Sequence, residues 1–211
     1  MRTLFLTGVA LAALSQAALA SSNPNGILAL ILTGGFPEAV VLDADPFKTV
    51  MFDGPEFNLG TVTLAEINDQ FGGNIQSSTA DNGAPQTWLC YDAGGLRTWF
   101  YSGLTDNSGK PLVNLIVEEQ ATTPAADGGC TVVTAALTPQ NDLPGVGATL
   151  ADLETRFGAE HVKPDQNGHL NFTYQGEEKP DVVQNVFYIL KNGVVTSIAF
   201  SEFHLSDGDT V

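Results

Sequence analysis

The chain has 211 residues, with 24 acidic side chains against 8 basic ones and a net charge of −16. A field of that sign repels phosphate backbones and anionic headgroups, which excludes nucleic-acid binding; the acidity serves solubility first, and a basic protein partner is the second reading. With 43% hydrophobic residues there is enough apolar material for one large core or two small ones.

Arg2 supplies a positive start, residues 4–14 (LFLTGVALAAL) form an apolar core, and Ala18-Leu19-Ala20 has the small-residue pattern of a cleavage site. Residues 1–20 are thus expected to be a signal peptide, with Ser21 as the mature start and a periplasmic or secreted location. The apolar run is well short of the roughly 20 residues a spanning helix needs, and no cysteine at the cleavage point suggests a lipid anchor. Gly26–Thr33 (GILALILT) is the next most apolar stretch; its length suits a core strand or short helix, not an integral membrane segment. The rest of residues 21–46 carries no pattern that places it.

From there the sequence repeats itself. Thr63-Leu64-Ala65-Glu66-Ile67 followed by Phe71-Gly72 returns as Thr149-Leu150-Ala151-Asp152-Leu153 followed by Phe157-Gly158. Each string predicts a short helix. The threonine is its N-cap, with Glu66 fitting a capping box and Asp152 favouring the dipole. Leu64, Ile67 and Phe71 (Leu150, Leu153 and Phe157) share one face at i, i+3, i+7, and the glycine stops the helix as an αL cap. Upstream, Lys48–Phe52 and Thr131–Ala135 match as short strands. Downstream, three strands follow in each copy: Thr87–Asp92, Leu96–Ser102 and Leu112–Glu118, then His169–Tyr174, Asn185–Lys191 and Val194–Glu202. Asn192-Gly193 signals a type I′ hairpin between the last two. The expected fold is α+β: two tandem repeats, 47–120 and 130–205, each a short helix packed on an antiparallel meander. A linker at 121–129 joins them and a flexible tail at 206–211 follows.

A glycine shortly before Thr-Leu-x-acid-aliphatic, then Phe-Gly and an aromatic-rich meander, resembles the repeat of the β-lactamase-inhibitor-protein-like fold. Outer-membrane assembly lipoproteins of the BamE/SmpA type carry a single copy; the inhibitors carry a tandem pair. The resemblance covers roughly residues 47–205 and implies a secreted or periplasmic, non-enzymatic protein that works by binding another protein. Two features depart from it. The lipobox of the assembly lipoproteins is absent, and the Cys90/Cys130 pair would tie one copy to the other, whereas the inhibitors staple each copy separately.

The only two cysteines, Cys90 and Cys130, read as one disulfide in an oxidising compartment. His161, His169 and His204 form no HxxxH or HExxH pair, so no metal site is expected, and no G-x-S-x-G elbow or phosphate loop points to catalysis or a cofactor. The acidic runs at Asp43-Ala44-Asp45, Asp165–Gly168 and Asp207-Gly208-Asp209 lack the full calcium ligand series. The stronger signal is strand alternation. Leu89 and Tyr91 face one side, Trp88 and Cys90 the other; Leu96, Thr98 and Phe100 face one side, Arg97, Trp99 and Tyr101 the other. If the second set faces outward, Trp88, Arg97, Trp99 and Tyr101 form a partner-binding patch of the residue types that dominate hot spots; the equal alternative is that this face is core, buried against the second copy or the N-terminal segment. Asp106, in the loop Leu104–Pro111, is a further candidate contact. The expected function is a protein-binding module of the inhibitor or immunity type. A structural or envelope-assembly accessory and a small-molecule or lipid carrier are the alternatives.

Overall fold

The computed structural model of the chain describes residues 27–47, 50–51, 56–79, 85–105, 109–122, 129–134, 142–176 and 180–204. The expected signal peptide, Asp106, most of the linker and the C-terminal tail lie outside the described residues.

The helices end where the cap chemistry says they should. Helix α2 (Leu64–Phe71) follows Thr63, whose hydroxyl accepts from the Glu66 backbone while the Glu66 carboxylate accepts the Thr63 N–H at 2.8 Å. Helix α3 (Leu150–Phe157) repeats this in full with Asp152, whose carboxylate accepts the Thr149 N–H at 2.7 Å. The shorter aspartate therefore closes a complete capping box rather than only favouring the dipole. Gly72 and Gly158 stop the helices at positive φ, but with extended ψ (−167° and 134°) in place of the expected αL geometry. A third helix, α1 (Ile27–Thr33), decides between the two readings of Gly26–Thr33 in favour of the short helix. It closes with a Schellman motif: the Gly35 N–H donates to the Leu30 carbonyl and the Gly34 N–H to the Ile31 carbonyl, with Gly34 at φ +68°.

The strands are β1 (Val40–Val41), β2 (Val50–Met51), β3 (Glu56–Phe57), β4 (Gln76–Thr79), β5 (Pro85–Ala93), β6 (Leu96–Ser102), β7 (Leu104–Thr105), β8 (Pro111–Leu112), β9 (Leu115–Gln120), β10 (Thr131–Val132), β11 (His169–Gln175), β12 (Val182–Lys191) and β13 (Val194–His204). Nine of them make one mixed sheet in the order β1-β11-β12-β13-β9-β6-β5-β10, with β4 also on β5. Two-residue hairpins set the register. Asn192 and Gly193 both have positive φ, as the type I′ expectation requires, and Gly94-Gly95 does the same between β5 and β6. The architecture is α+β: a large, mostly antiparallel sheet with short helices.

The upstream strands differ from expectation. Val50-Met51 pairs with Glu56-Phe57 in a separate hairpin. The strand ahead of α2 that joins the main sheet is instead β1, and it docks in parallel on β11, at the far end. Strand β10, ahead of α3, docks in parallel on β5. Each short strand thus covers the sheet edge belonging to the other half of the chain. At the centre β9 and β13 pair antiparallel about Val117↔Ala199. The short bridges Thr63↔Leu112 and Thr149↔Val194 fasten the N-cap of each helix to the chain entering those two strands.

Apolar side chains bury on both faces of the sheet. On one, Leu64 and Ile67 of α2 and Leu153 and Phe157 of α3 close over Leu89, Tyr91, Phe100, Ile116, Phe172, Tyr188 and Phe200. On the other, Ile27 of α1 joins Trp88, Cys90, Trp99, Tyr101, Leu115, Val117 and Ala199.

Candidate functional site

The hairpin through Gly94-Gly95 pairs Ala93 with Leu96, and the rest of the second face follows by twos. Across β5, β6 and β9 the outward side chains line up in three rows. Trp88 lies beside Tyr101 and Leu115; Cys90 beside Trp99 and Val117; Asp92 beside Arg97 and Glu119. The face therefore grades from aromatic to charged over three cross-strand ranks.

The charged rank is a cluster of a buried arginine between two half-buried carboxylates. The Arg97 guanidinium donates to both carboxylate oxygens of Asp92, from Nε at 2.7 Å and from an amino nitrogen at 2.9 Å. This forked geometry is the strong form of an arginine–carboxylate pair, and its hydrogen bonds raise the arginine pKa further. Burial pushes the Glu119 carboxyl above its usual range, against the opposing pull of the Trp99 side-chain hydrogen bond and the Arg97 charge. One cation serving two carboxylates in a desolvated place costs folding energy, so its contribution is to fix register more than to add stability.

Cys90 and Cys130 form a disulfide, their Cα atoms 4.6 Å apart. It joins the open face of β5 to the residue ahead of β10. The described residues bring Cys90, Asp92 and Cys130 to metal-ligand spacing. The two sulfurs, however, are bonded to each other, and Asp92 is engaged by Arg97, so the group offers no free ligand set.

The sequence assigned Trp88, Arg97, Trp99 and Tyr101 to one face, and they share it. The expectation that they form an exposed patch is corrected: they are only 1%, 6%, 4% and 4% exposed. On this face the aromatic side chains share one buried cluster with residues from the segment 27–36. Its helix α1 contributes Ile27 and Ile31, and Phe36 follows, all packed in the same apolar cluster. The Phe36 ring lies 4.9 Å from Phe187 and 5.3 Å from His169, and the Asn171 amide donates to the Pro37 carbonyl at 3.1 Å. An apolar helix without charge packs on the sheet face that α2 and α3 leave open.

Sequence reasoning missed Asp92, Glu119, Asn171 and Phe187. The Gly-Gly dipeptide is a hairpin signal that would have paired Asp92 with Arg97, and the alternation of β9 would then have brought in Glu119. His161 sits in a loop 3.5 Å from Glu160, and His169 starts β11 with its Nδ1 3.5 Å from Asp165. Two open hollows also occur. One, of about 270 Å³, is lined by Asp43, Arg156, Glu160 and His161 among others. The other, of about 400 Å³, lies beside α2 and is lined by Phe57, Asn58, Glu66 and Gln70 among others. Neither is the enclosed apolar cavity a carrier needs. Comparison with known protein families, curated proteins and solved structures returns no match.

Proposed function

We propose that the chain is an exported, non-enzymatic protein-binding module of the inhibitor or immunity type, engaging its partner through the second face of the sheet and the hairpin loops. The observation that carries this reading is the make-up of that face. Both tryptophans of the chain, a tyrosine and an arginine stand in adjoining strands, on the side that α2 and α3 leave to a seven-residue helix. These are the side-chain types that dominate binding hot spots; they are buried in this structure, so engagement through this face requires what covers them to give way.

The tandem arrangement of residues 47–120 and 130–205 belongs to the same reading. It is supported by the matching capping boxes, the matching N-cap bridges and the central pairing of Val117 with Ala199. Export is supported by the Cys90–Cys130 disulfide, since such bonds persist in oxidising compartments. No described helix is long and apolar enough to cross a membrane.

The test uses the mature chain as bait in periplasmic extract and in culture medium. A specific protein should be retained by the wild type and lost with Trp88→Ala or Trp99→Ala, in variants whose circular dichroism shows the sheet intact. If no protein is retained, and the two variants change only stability, the reading is wrong.

A further inference from the structure

We propose that Cys90, Cys130 and Asp92 form a metal site in the reduced chain, where a zinc-class cation closes the β10 edge in place of the disulfide. This site is independent of the protein-binding reading.

Sheet geometry brings the three residues together. Cys90 and Asp92 stand two apart on β5 and so share its second face. Cys130 immediately precedes β10, whose parallel register sets Thr131 against Tyr91 and Val132 against Asp92. Their ligand atoms, two sulfurs and a carboxylate oxygen, all lie within 4.8 Å of one another. Cys90 is buried, whereas Cys130 and Asp92 are half-buried, so the group is within reach of solvent. In the disulfide the sulfurs are spent on each other; reduction turns them into two thiols. The backbone on either side of Cys130 is held without the sulfur. The Gln76 amide donates to the Gly129 carbonyl at 2.8 Å, and the Val133 N–H donates to the Asp92 carbonyl at 3.0 Å. Breaking the bond between the sulfurs therefore loosens this edge but leaves contacts that return Cys130 to β5.

Two thiolates and one carboxylate suit zinc, with water at the fourth corner of its tetrahedron. Zn–S bonds of ~2.3 Å at tetrahedral angles set the two sulfurs roughly 3.8 Å apart, a separation that a rotamer change at the half-buried Cys130 can supply. Arg97 donates to both oxygens of Asp92. Metal-ligating carboxylates are commonly held this way, and with about four lone-pair sites a carboxylate can serve the arginine and an ion together. The guanidinium also offsets one of the negative charges that the ligands bring together. Capture needs no redox partner: two Cys–SH groups and one Zn2+ give a zinc dithiolate and two protons. Disulfide closure removes the same two protons together with two electrons, which pass to an oxidant of the disulfide-exchange class. Zinc and oxidation thus compete for one pair of thiols. Because the loosened edge re-forms around the ion, binding is coupled to local folding.

The test titrates the mature chain, reduced with a phosphine that is then removed under nitrogen, with Co2+ as a spectroscopic stand-in for zinc. One ion per chain is expected, with thiolate-to-cobalt charge-transfer absorption in the near ultraviolet and the visible bands of a tetrahedral ion. Excess Zn2+ should abolish both, and the disulfide form should show neither. Zinc should also raise the thermal midpoint of the reduced chain and slow its alkylation by iodoacetamide, while leaving the midpoint of the disulfide form where it is. Asp92→Asn should weaken cobalt binding at least roughly tenfold. Cys130→Ser should weaken it further and diminish the charge-transfer band, whether or not the Asp92 variant folds. The proposal fails if the reduced chain, folded by circular dichroism, binds no cobalt or binds it without the thiolate band. It fails as well if the disulfide form gives the same spectrum, or if reduction unfolds the chain and zinc does not restore it. An Asp92→Asn chain that folds and binds cobalt as tightly as the wild type would overturn the three-ligand set.

Discussion

The two ends of the sheet solve one problem by different chemistry. At one, β10 lies in parallel on β5; at the other, β1 lies in parallel on β11. Both strands are two residues long and both end in a bare valine, Val132 at 71% and Val41 at 69% exposure. Two residues of pairing cannot hold a strand against the entropy of the chain leading to it, so each edge carries a staple one residue earlier. On β5 it is covalent, Cys90 to Cys130. On β11 the position in the register of Cys90 is Asn171, and its amide donates to the Pro37 carbonyl instead. The comparison teaches that the disulfide is an edge staple rather than the core brace its central-looking cysteine suggests, and that the same edge can be held by a hydrogen bond where the preceding chain is otherwise anchored.

Removing the covalent staple should have the largest effect. Closing the 40-residue separation between Cys90 and Cys130 constrains the unfolded chain by about 4 kcal/mol on the loop-entropy account. The pair Cys90→Ala/Cys130→Ala should therefore lower the denaturant midpoint steeply, whereas Asn171→Ala should cost only about 1 kcal/mol, the worth of one hydrogen bond. Equal losses at the two edges would sink the comparison. A sharper test transplants the bond. Continuing the β1–β11 register places Ala39 opposite Asn171 as Cys130 stands opposite Cys90. The double substitution Ala39→Cys/Asn171→Cys should close a second disulfide on oxidation and add about 2–3 kcal/mol, less than its long loop promises because engineered bridges rarely deliver in full. Mass spectrometry under alkylation checks it: thiols that remain free would mean the two edges are not alike.

Much of this was legible in the sequence, for reasons that are local. Cap chemistry placed α2 and α3 within a residue, and period-two alternation sorted Leu89, Tyr91 and Phe100 from Trp88, Trp99 and Tyr101. Asn192-Gly193 announced its hairpin. What stayed hidden depends on long-range partners. Strand β1 is too short to carry a periodic signal, and although Thr131–Val132 falls in an expected strand, the exchange of both across the chain leaves no local trace. Nor does GILALILT reveal which surface it will cover; its composition asks only for an apolar one. The exposure of the aromatic patch was therefore undecidable from β5 and β6 alone, since its buried cluster draws in residues as distant in sequence as Ile27 and Ala199.

The helix side sharpens the comparison with smaller effects. Phe71 of α2, Tyr91 and Phe100 meet edge-on in a chain; Phe157 of α3 stacks on Phe172, which meets Tyr188 edge-on. The phenol has moved from the outer strand to the inner one. The Tyr91 hydroxyl donates to the Gly72 carbonyl at 2.7 Å, while that of Tyr188 is buried with no hydrogen-bond partner among the described residues. Tyr91→Phe should then cost about 1 kcal/mol and Tyr188→Phe should stabilise by a similar amount, since an unmatched buried hydroxyl is a desolvation cost. Urea denaturation of the two single variants decides it, and two losses of the same sign would mean that Tyr188 has a use for its hydroxyl. The same burial fixes the alkaline limit. It pushes Tyr91 and Tyr101 up to about 12 and raises Tyr188 as well, against about 10 for a solvated phenol. The folded chain holds these protons more tightly than the unfolded one. Their contribution is accordingly complete below pH 10 and declines as pH rises toward 12, where unfolding releases phenolic protons. A denaturant midpoint that is level to about pH 10 and falls beyond it is expected, with Tyr188→Phe softening the fall more than Tyr101→Phe, because Tyr188 is the more deeply buried of the two.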